Sequence, residues 1–286
     1  MGTIAVIGAT GTIGKRLALR LAAHGRQVRA ICRNPGEWDG DVEAVAADLT
    51  DLEQALDAIE GAEVVYLTPV LGGHDLFANE RTVAANVVDA AVKHDVTHIV
   101  MHTAVRADRG DTGARILDNK TPIEQHLAES GVGYTVLRPA WFLQNLWGAR
   151  DYLEQGVVSM PWSGDMVWAA TDVEDIVSAA VAFIDRGPAN GGFDIHIPGG
   201  ITGYQIAEAA TSVLDRPVAY HRAPVSSREY LASFPLSEAH KDAYAELFDY
   251  FQATTYFGDP QPITETLTGF RPRGIEQFLR EELFSG

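Results

Sequence analysis

Residues 6–14 read VIGATGTIG, and the three glycines of this stretch, Gly8, Gly11 and Gly14, lie three residues apart. The apolar, β-branched run before them predicts a strand, and apolar residues at helical spacing in KRLALRLAAHG (15–25) predict a helix. This is the context in which such glycines bind the pyrophosphate of a dinucleotide. Gly8 would permit the tight turn, Gly11 would let the pyrophosphate approach the backbone, and Gly14 would let the helix pack closely on the sheet.

The first turn of the predicted helix supplies further groups to this site. Its free N–H groups and the positive end of the helix dipole attract phosphate. We therefore assign Thr10, Thr12 and Ile13 to the cofactor site together with the three glycines. The alternative is a strand-to-helix turn that binds nothing, but the agreement of loop, strand and helix favours the dinucleotide site.

The alternation of strand and helix continues along the chain. Helices are predicted at about 51–60, 75–94 and 113–130. Further strands are predicted at QVRAICR (27–33), VEAVAAD (42–48), AEVVYLTP (62–69), THIVMHTA (97–104) and GYTVLRP (133–139). Apolar strands that alternate with helices predict an α/β fold with a Rossmann-type, doubly wound parallel sheet covered by helices on both faces.

After Pro139 the pattern becomes less regular and richer in aromatic residues. The stretch MVWAATDVEDIVSAAVAFI (166–184) predicts a short strand and a helix, and Ser237 is a plausible cap for a later helix. We divide the chain into a cofactor-binding Rossmann core, residues 1–150, and a small mixed α/β C-terminal substrate-binding part, residues 151–286. The second part is expected to be interleaved with the core rather than independent.

Composition limits the classes of partner. The 286 residues, 46% of them hydrophobic, can fill a substantial core, and 22 basic against 39 acidic residues give a formal charge of −17. This charge repels phosphate backbones and anionic membrane surfaces, so we expect neither nucleic acid nor a membrane as a partner. The single cysteine, Cys32, cannot form an internal disulfide and is interpreted as a small buried hydrophobe. We expect a cytoplasmic protein, with a homodimer possible.

Two positions bear on which dinucleotide is bound. Arg33 ends the second strand, where a guanidinium can pair with a 2′-phosphate, and this favours NADP(H) over NAD(H). The alternative for Arg33 is a solvated charge at a strand end. Asp48, followed by Leu49, ends the third strand, where its carboxylate could contact the adenine amino group or cap the following turn. Both interpretations of Asp48 remain open, and Leu49 is assigned to the same site.

The ends of the fourth and fifth strands should also face the cofactor, because ligands of open parallel sheets bind beyond the carboxyl ends of the strands. Thr68 and Pro69 are therefore expected on the ribose and nicotinamide side. Strand alternation directs His102 and Thr103 to opposite faces. We favour Thr103 as the site residue and interpret His102 as core.

The chain resembles the NmrA-like family, an atypical branch of the short-chain dehydrogenase/reductases, over nearly its whole length. The resemblance rests on GATGTIG (8–14), Arg33, Asp48 and NKTPIEQHLAESGVGYTVLRPAWFLQN (119–145), with TDVEDIVSAAVAFI (171–184) and ETLTGFRPRGIEQFLRE (265–281) in addition. It implies a Rossmann-type domain that binds NADP(H), and either reductase chemistry or cofactor sensing.

The resemblance also selects Lys120 as the first catalytic candidate. Other members of the superfamily use a Tyr four residues before the Lys as the proton donor, and this chain has Ile116 there. In the atypical branch the lysine itself can serve, since an ammonium can supply a proton or a positive charge to a carbonyl oxygen. A structural interpretation competes: Thr121 and Glu124 could form a helix capping box, or Glu124 could form a surface ion pair with Lys120.

Other site residues follow from the same resemblance. Thr103 lies near the position of a serine that orients the substrate in the superfamily, which makes it the second catalytic candidate. Pro139 and Phe142 resemble a loop over the nicotinamide, and Trp141, Phe142 and Asn145 are assigned to the substrate. The alternative for this loop is simple aromatic packing.

The leading hypothesis is an NADPH-dependent reductase of a small aromatic, quinone-like or enone/carbonyl substrate, acting by hydride transfer without the usual Tyr. The alternatives are an NADP(H)-sensing regulator that binds a protein partner without turnover, and a non-redox enzyme on the same fold. No metal site is predicted, because His94 and His98 straddle a helix end and a strand start and would not share a face.

Overall fold

The computed structural model describes residues 2–38, 40–69, 72–73, 75–254, 269 and 271–285. Residues 265–268 and 270 of the C-terminal stretch that resembles the NmrA-like family lie outside this description. The chain forms two compact units. The first unit comprises residues 1–110, 118–138 and 176–193, and the second comprises 111–117, 139–175 and 194–286. The last segment of the first unit thus extends beyond residue 150, where the sequence suggested the core would end.

A parallel sheet forms the centre of the first unit, and all six predicted strands are present. They are β1 (Thr3–Ile7), β2 (Val28–Cys32), β3 (Val42–Ala46), β4 (Ala62–Leu67), β5 (His98–His102) and β6 (Gly133–Pro139). Neighbouring strands pair in parallel in the order β6-β5-β4-β1-β2-β3. The order reverses between β1 and β4, and such a switch point is where open α/β sheets bind ligands at the carboxyl ends of their strands.

Helices follow the strands as the sequence predicts, with one exception. They are α1 (Thr12–Ala23), α2 (Leu52–Ile59), α3 (Leu76–Lys93), α4 (Arg115–Asp118) and α5 (Thr121–Glu129). Asp51 and Asp75 cap α2 and α3 with their carboxylates, which accept backbone N–H bonds of the first turn. Apolar residues of these strands and helices, such as Ile31, Val65 and Val88, are buried together in one core.

The predicted single helix over 113–130 is wrong, because the chain forms α4 and α5 with a turn at 119–120 between them. Pro122, in the first turn of α5, explains part of this break: proline has no N–H to donate to the preceding turn and disfavours helix before it. The break places Lys120 at the N-cap of α5.

The second unit is mixed α/β, as predicted for the C-terminal part. Its short strands are β7 (Trp141–Phe142), β8 (Val157–Met160), β9 (Ala170–Thr171) and, after β10 (Gly191–Ile195), β11 (Ala219–Arg222). β7 pairs with β9 and β8 with β11, both in parallel. β10 (Gly191–Ile195) begins in the first unit and lies beside β6 in the sheet. The core of the second unit contains Trp162, Trp168 and Phe278.

The remaining helices include the one predicted within 166–184 and the one for which Ser237 was the expected cap. They are α6 (Arg150–Glu154), α7 (Val173–Arg186), α8 (Gly203–Leu214), α9 (Ser227–Tyr230) and α10 (Glu238–Thr254), with 3-10 helices at Leu143–Ala149 and Leu231–Ser233, a helical turn at Ile275–Phe278 and a π-helical turn at Leu279–Leu283. Ser237 accepts the backbone N–H of His240 and so caps α10, as predicted. Within the described residues, every helix is too short or too polar to cross a bilayer.

Candidate active site

The glycine loop joins β1 to α1, and each glycine has a different structural reason. Gly8 has φ +73°, a conformation that other residues rarely adopt. A Cβ on Gly14 would lie 2.4 Å from the carbonyl oxygen of Gly8, so only glycine lets α1 start this close to the strand. Gly11 is exposed and forms the N-cap of α1, and no side chain among the described residues caps this helix. The first-turn N–H groups are thus suited to an anionic ligand.

Arg33 follows β2, and its exposed guanidinium is close enough to Asp48 for its charge to act on that carboxylate. Asp48 accepts the hydroxyl of Thr50 at 2.8 Å and its backbone N–H at 3.1 Å. These bonds, chiefly the one to the hydroxyl, lower the pKa of Asp48. Asp48 therefore stabilises the turn that follows β3, and its contact with adenine stays a prediction.

Cys32 is half-buried, although the sequence suggested a buried residue. It ends β2 directly before Arg33, and its thiol hydrogen-bonds with the side chain of Thr10 in the glycine loop. Burial raises the pKa of this thiol. The fully buried position expected from the apolar sequence run is not reached because β2 ends here, at the open carboxyl edge of the sheet.

The ends of β4 and β5 contribute a polar cluster. Thr68 lies beside the glycine loop, since a Cβ on Gly8 would be 3.2 Å from its Cβ, and Pro69 after it is buried. Nδ1 of His102 lies 3.0 Å from the hydroxyl of Tyr66 and 3.3 Å from that of Thr68. His102 is buried as predicted, but in contact with polar groups.

The pKa values of two side chains in this cluster, His102 and Tyr66, are strongly shifted. Burial, together with the positive charge of Lys120, lowers the pKa of His102 to about 3, so the imidazole is neutral at physiological pH. Burial likewise raises the pKa of Tyr66, so its hydroxyl keeps its proton and can donate it to a hydrogen bond. The ammonium of Lys120 is close enough to His102, the last residue of β5, for its charge to contribute to this shift.

Thr103 points to the other face of the sheet, as strand alternation predicts. Its hydroxyl is buried and donates to Oε1 of Glu124 at 2.6 Å. The carboxylate of Glu124 also accepts hydrogen bonds from the guanidinium of Arg138, from Nε at 3.1 and 3.2 Å and from Nη2 at 2.5 Å. Arg138 reaches Asp108 with its remaining nitrogen at 3.2 Å. This network fixes the orientation of Thr103 at the end of β5.

Lys120 is buried and its environment differs from both structural alternatives raised by the sequence. The capping box raised as an alternative does not form, because Thr121 donates its hydroxyl to the carbonyl of Ala107 instead of capping α5. The alternative surface pair between Lys120 and Glu124 does not form either, since Glu124 is buried and pairs with Arg138. The ammonium of Lys120 instead pairs with Oε1 of Glu80 on α3, at 2.5 Å.

In the second unit, Trp141 and Phe142 are half-buried and form β7. Trp141 contacts Trp168 edge to face, with ring centroids 6.1 Å apart. Asn145 is exposed and Pro139 is buried. Trp162 and Trp168 are fully buried in the core of this unit and Trp147 is exposed, and none of the three is among the proposed substrate contacts.

Sequence reasoning missed Glu80 and Tyr66. Glu80 is a carboxylate inside a predicted helix, forty residues before its partner Lys120, and a charge in a helix is usually solvated. Tyr66 belongs to an apolar strand whose pattern gives no sign of a hydrogen-bond partner. The signal that could have found Glu80 is its position on the apolar face of α3, near Ala84, Val87 and Val88 in helical spacing.

A model of the NmrA-like family matches residues 1–281. The chain belongs to the NmrA-like family. This confirms the resemblance drawn from the loop glycines and the stretch at 119–145, and the match extends through both units of the fold.

Relatives of this NmrA-like protein include oxidoreductases. It is 27% identical to the NAD(P)H azoreductase of Xenophilus azovorans over 254 residues, which cover 86% of each protein. It is 27% identical to quinone oxidoreductase 2 of Escherichia coli over 224 residues, 76% of each protein. The structure of an NADPH-dependent quinone oxidoreductase from Escherichia coli in complex with NADPH matches with a TM-score of 0.81 at 23% identity, over 96% of this chain and 97% of that one. This structural likeness confirms the Rossmann-type α/β fold.

Proposed function

We propose that this NmrA-like protein is an NADPH-dependent reductase of a small aromatic, quinone-like or enone/carbonyl substrate. The observation that carries the proposal is the start of α1, packed on the sheet through Gly14 and without a side-chain cap among the described residues. Thr10, in the loop before it, contacts Cys32, the residue next to Arg33. Two relatives support the class of reaction, since they are named as an azoreductase and a quinone oxidoreductase.

The residues present fit the dinucleotide. The backbone at 10–14 offers N–H groups to the pyrophosphate, and Arg33 offers a guanidinium to the 2′-phosphate. Asp48 and Leu49 would lie at the adenine, and Thr68 and Pro69 at the ribose and nicotinamide. When bound, NADPH would supply a hydride from C4 of the nicotinamide.

The protein's own groups then handle charge and protons. Lys120, which pairs with Glu80, is proposed to donate a hydrogen bond to an oxygen that gains negative charge, and it or a bound water completes protonation. Thr103 is proposed to orient the substrate. Trp141, Phe142 and Asn145 are proposed to contact the substrate, and Pro139 and Phe142 to lie near the nicotinamide.

The test is NADPH oxidation by the purified protein with a panel of quinones, azo compounds, enones and imines. We expect turnover with at least one class, and a loss of about 100-fold in kcat for Lys120→Met. Arg33→Ala should weaken NADPH binding by about tenfold and leave NADH binding unchanged, because a charged hydrogen bond to the 2′-phosphate is lost.

The alternatives give different results in the same experiments. A sensor would bind NADPH and NADP with different affinities, measured by titration calorimetry, and would oxidise no NADPH with any acceptor. Absence of binding to either cofactor form would overturn the proposal as a whole.

A further inference from the structure

The ion pair between Lys120 and Glu80 is the most enclosed charge pair of the first unit among the described residues. The Glu80 side chain is fully buried and that of Lys120 is 9% exposed, while Nζ and Oε1 are 2.5 Å apart. A carboxylate in such a place is costly unless it is paired and hydrogen-bonded. Lys120 has three N–H bonds, and its contact with Glu80 uses one of them.

The second oxygen of Glu80 is held as firmly as the first. Oε2 accepts the side-chain amide of Asn119 at 2.7 Å. The same amide nitrogen also donates to the carbonyl of Phe77 at 3.2 Å, and Arg81 donates to the amide oxygen of Asn119. Glu80 is thus fixed by contacts to both oxygens, and it in turn fixes the direction of the Lys120 side chain.

We propose that Glu80 is a positioning residue, which holds the Lys120 ammonium at the carboxyl edge of β5 so that it can act on the substrate or the ribose. The inference rests on the proposed function and deepens it by naming what orients its cation. The turn at 119–120, between α4 and α5, places both Asn119 and Lys120 against α3, where one carboxylate contacts both.

A second, exposed contact between side chains joins the same helices and serves as a comparison. Asp89 of α3 and His126 of α5 are 3.2 Å apart, and both side chains are about half exposed, 56% and 45%. This pair can join α3 to α5 at little cost of desolvation. A buried charge pair adds little to stability over apolar residues of equal size. The presence of charged residues at both positions 80 and 120 therefore indicates that the charge of Lys120 has a function.

The experiment is a double-mutant cycle with Glu80→Gln, Lys120→Met and the double variant, measured on kcat and on the Kd of NADPH. Glu80→Gln keeps the size of the side chain and removes its charge. We expect kcat to fall by about 10–100-fold in Glu80→Gln, with KM for the acceptor changed by less than about threefold, because an orienting contact mainly affects the transition state. The double variant should be no worse than Lys120→Met alone.

Controls separate this role from folding. Asp89→Asn removes the exposed pair between the same helices and should leave kcat and the Kd of NADPH within about twofold of wild type. Glu80→Asp keeps the charge but draws the carboxylate back by one methylene; it covers the case in which Glu80→Gln does not fold. We expect a lower kcat in Glu80→Asp at a full content of folded protein.

The outcomes distinguish this inference from the proposed function. A wild-type protein that reduces no acceptor contradicts the proposed function. The double-mutant cycle measured on NADPH binding then decides the role of Glu80, and equal, non-additive losses of NADPH affinity in all three variants support it. If the losses of kcat and of NADPH affinity in the two single variants multiply in the double variant, Glu80 acts independently of Lys120. Unchanged kcat in folded Glu80→Gln or Glu80→Asp would also overturn the inference.

Discussion

Replacing Gly14 with alanine tests whether the glycine loop is packed as the structure shows. The new Cβ would lie 2.4 Å from the carbonyl oxygen of Gly8 and 2.9 Å from Cα of Ala9. Both are backbone atoms, and an ordinary contact needs about 3.5 Å, so α1 or the loop must shift by about 1 Å. Overpacking of this kind costs about 1–3 kcal/mol, and we expect the upper end because no flexible side chain can yield.

The measurement is urea unfolding followed by circular dichroism, with two matched variants. Gly148→Ala places a methyl group where, apart from its chain neighbours and the backbone of its own helix, no atom lies within 4 Å, and should change the free energy of unfolding by less than about 0.5 kcal/mol. Gly11→Ala brings a Cβ to 3.2 Å from the carbonyl oxygen of Gly8, a contact that a small shift relieves. Its free energy of unfolding should fall by less than about 1 kcal/mol.

The same variants separate packing from cofactor binding. Gly11 is exposed, so its methyl group would project towards the proposed pyrophosphate, and we expect an NADPH affinity at least about tenfold lower in Gly11→Ala. A Gly14→Ala variant as stable as wild type would refute the packing argument. A Gly11→Ala variant that binds NADPH as wild type does would refute the role of this backbone.

Two further predictions concern the dependence of stability on pH. Burial lowers the pKa of His98 to about 4, so the unfolded chain binds a proton at His98 more readily than the folded chain does. The contribution of neutral His98 to stability is therefore present above pH 6.5 and is lost as pH falls through 4. When the pH is lowered from 7 to 5, the free energy of unfolding of wild type, measured with urea, should fall by about 1–2 kcal/mol more than that of His98→Gln. An unchanged difference between the two proteins would contradict this. Burial raises the pKa of Asp175 to about 7, so the folded state binds the proton more tightly and this contribution is lost as pH rises through 7. As the pH rises from 5 to 8, the free energy of unfolding of Asp175→Asn should therefore increase relative to that of wild type, by on the order of 2 kcal/mol. A difference between the two proteins that does not change with pH in the same assay would disprove the raised pKa of Asp175.

The sheet and the glycine loop could be predicted from the sequence because their signals are local. Six strands were found from apolar runs of four to eight residues, and β1, the loop and α1 were found from VIGATGTIG (6–14). The break between α4 and α5 was missed, since helical periodicity continues through Lys120 while Pro122 interrupts only the backbone hydrogen bonds.

The sequence by itself determined the six strands of the parallel sheet and the glycine turn after β1. It also singled out Lys120 and Thr103, which lie close to the ends of a helix and a strand. Only the tertiary structure decided their partners: Glu80 for Lys120, and Glu124 with Arg138 for Thr103. The physical reason is that a buried charge finds its partner through the packing of helices that are distant in the chain, and no local pattern records which carboxylate the fold brings within 3 Å of a given ammonium.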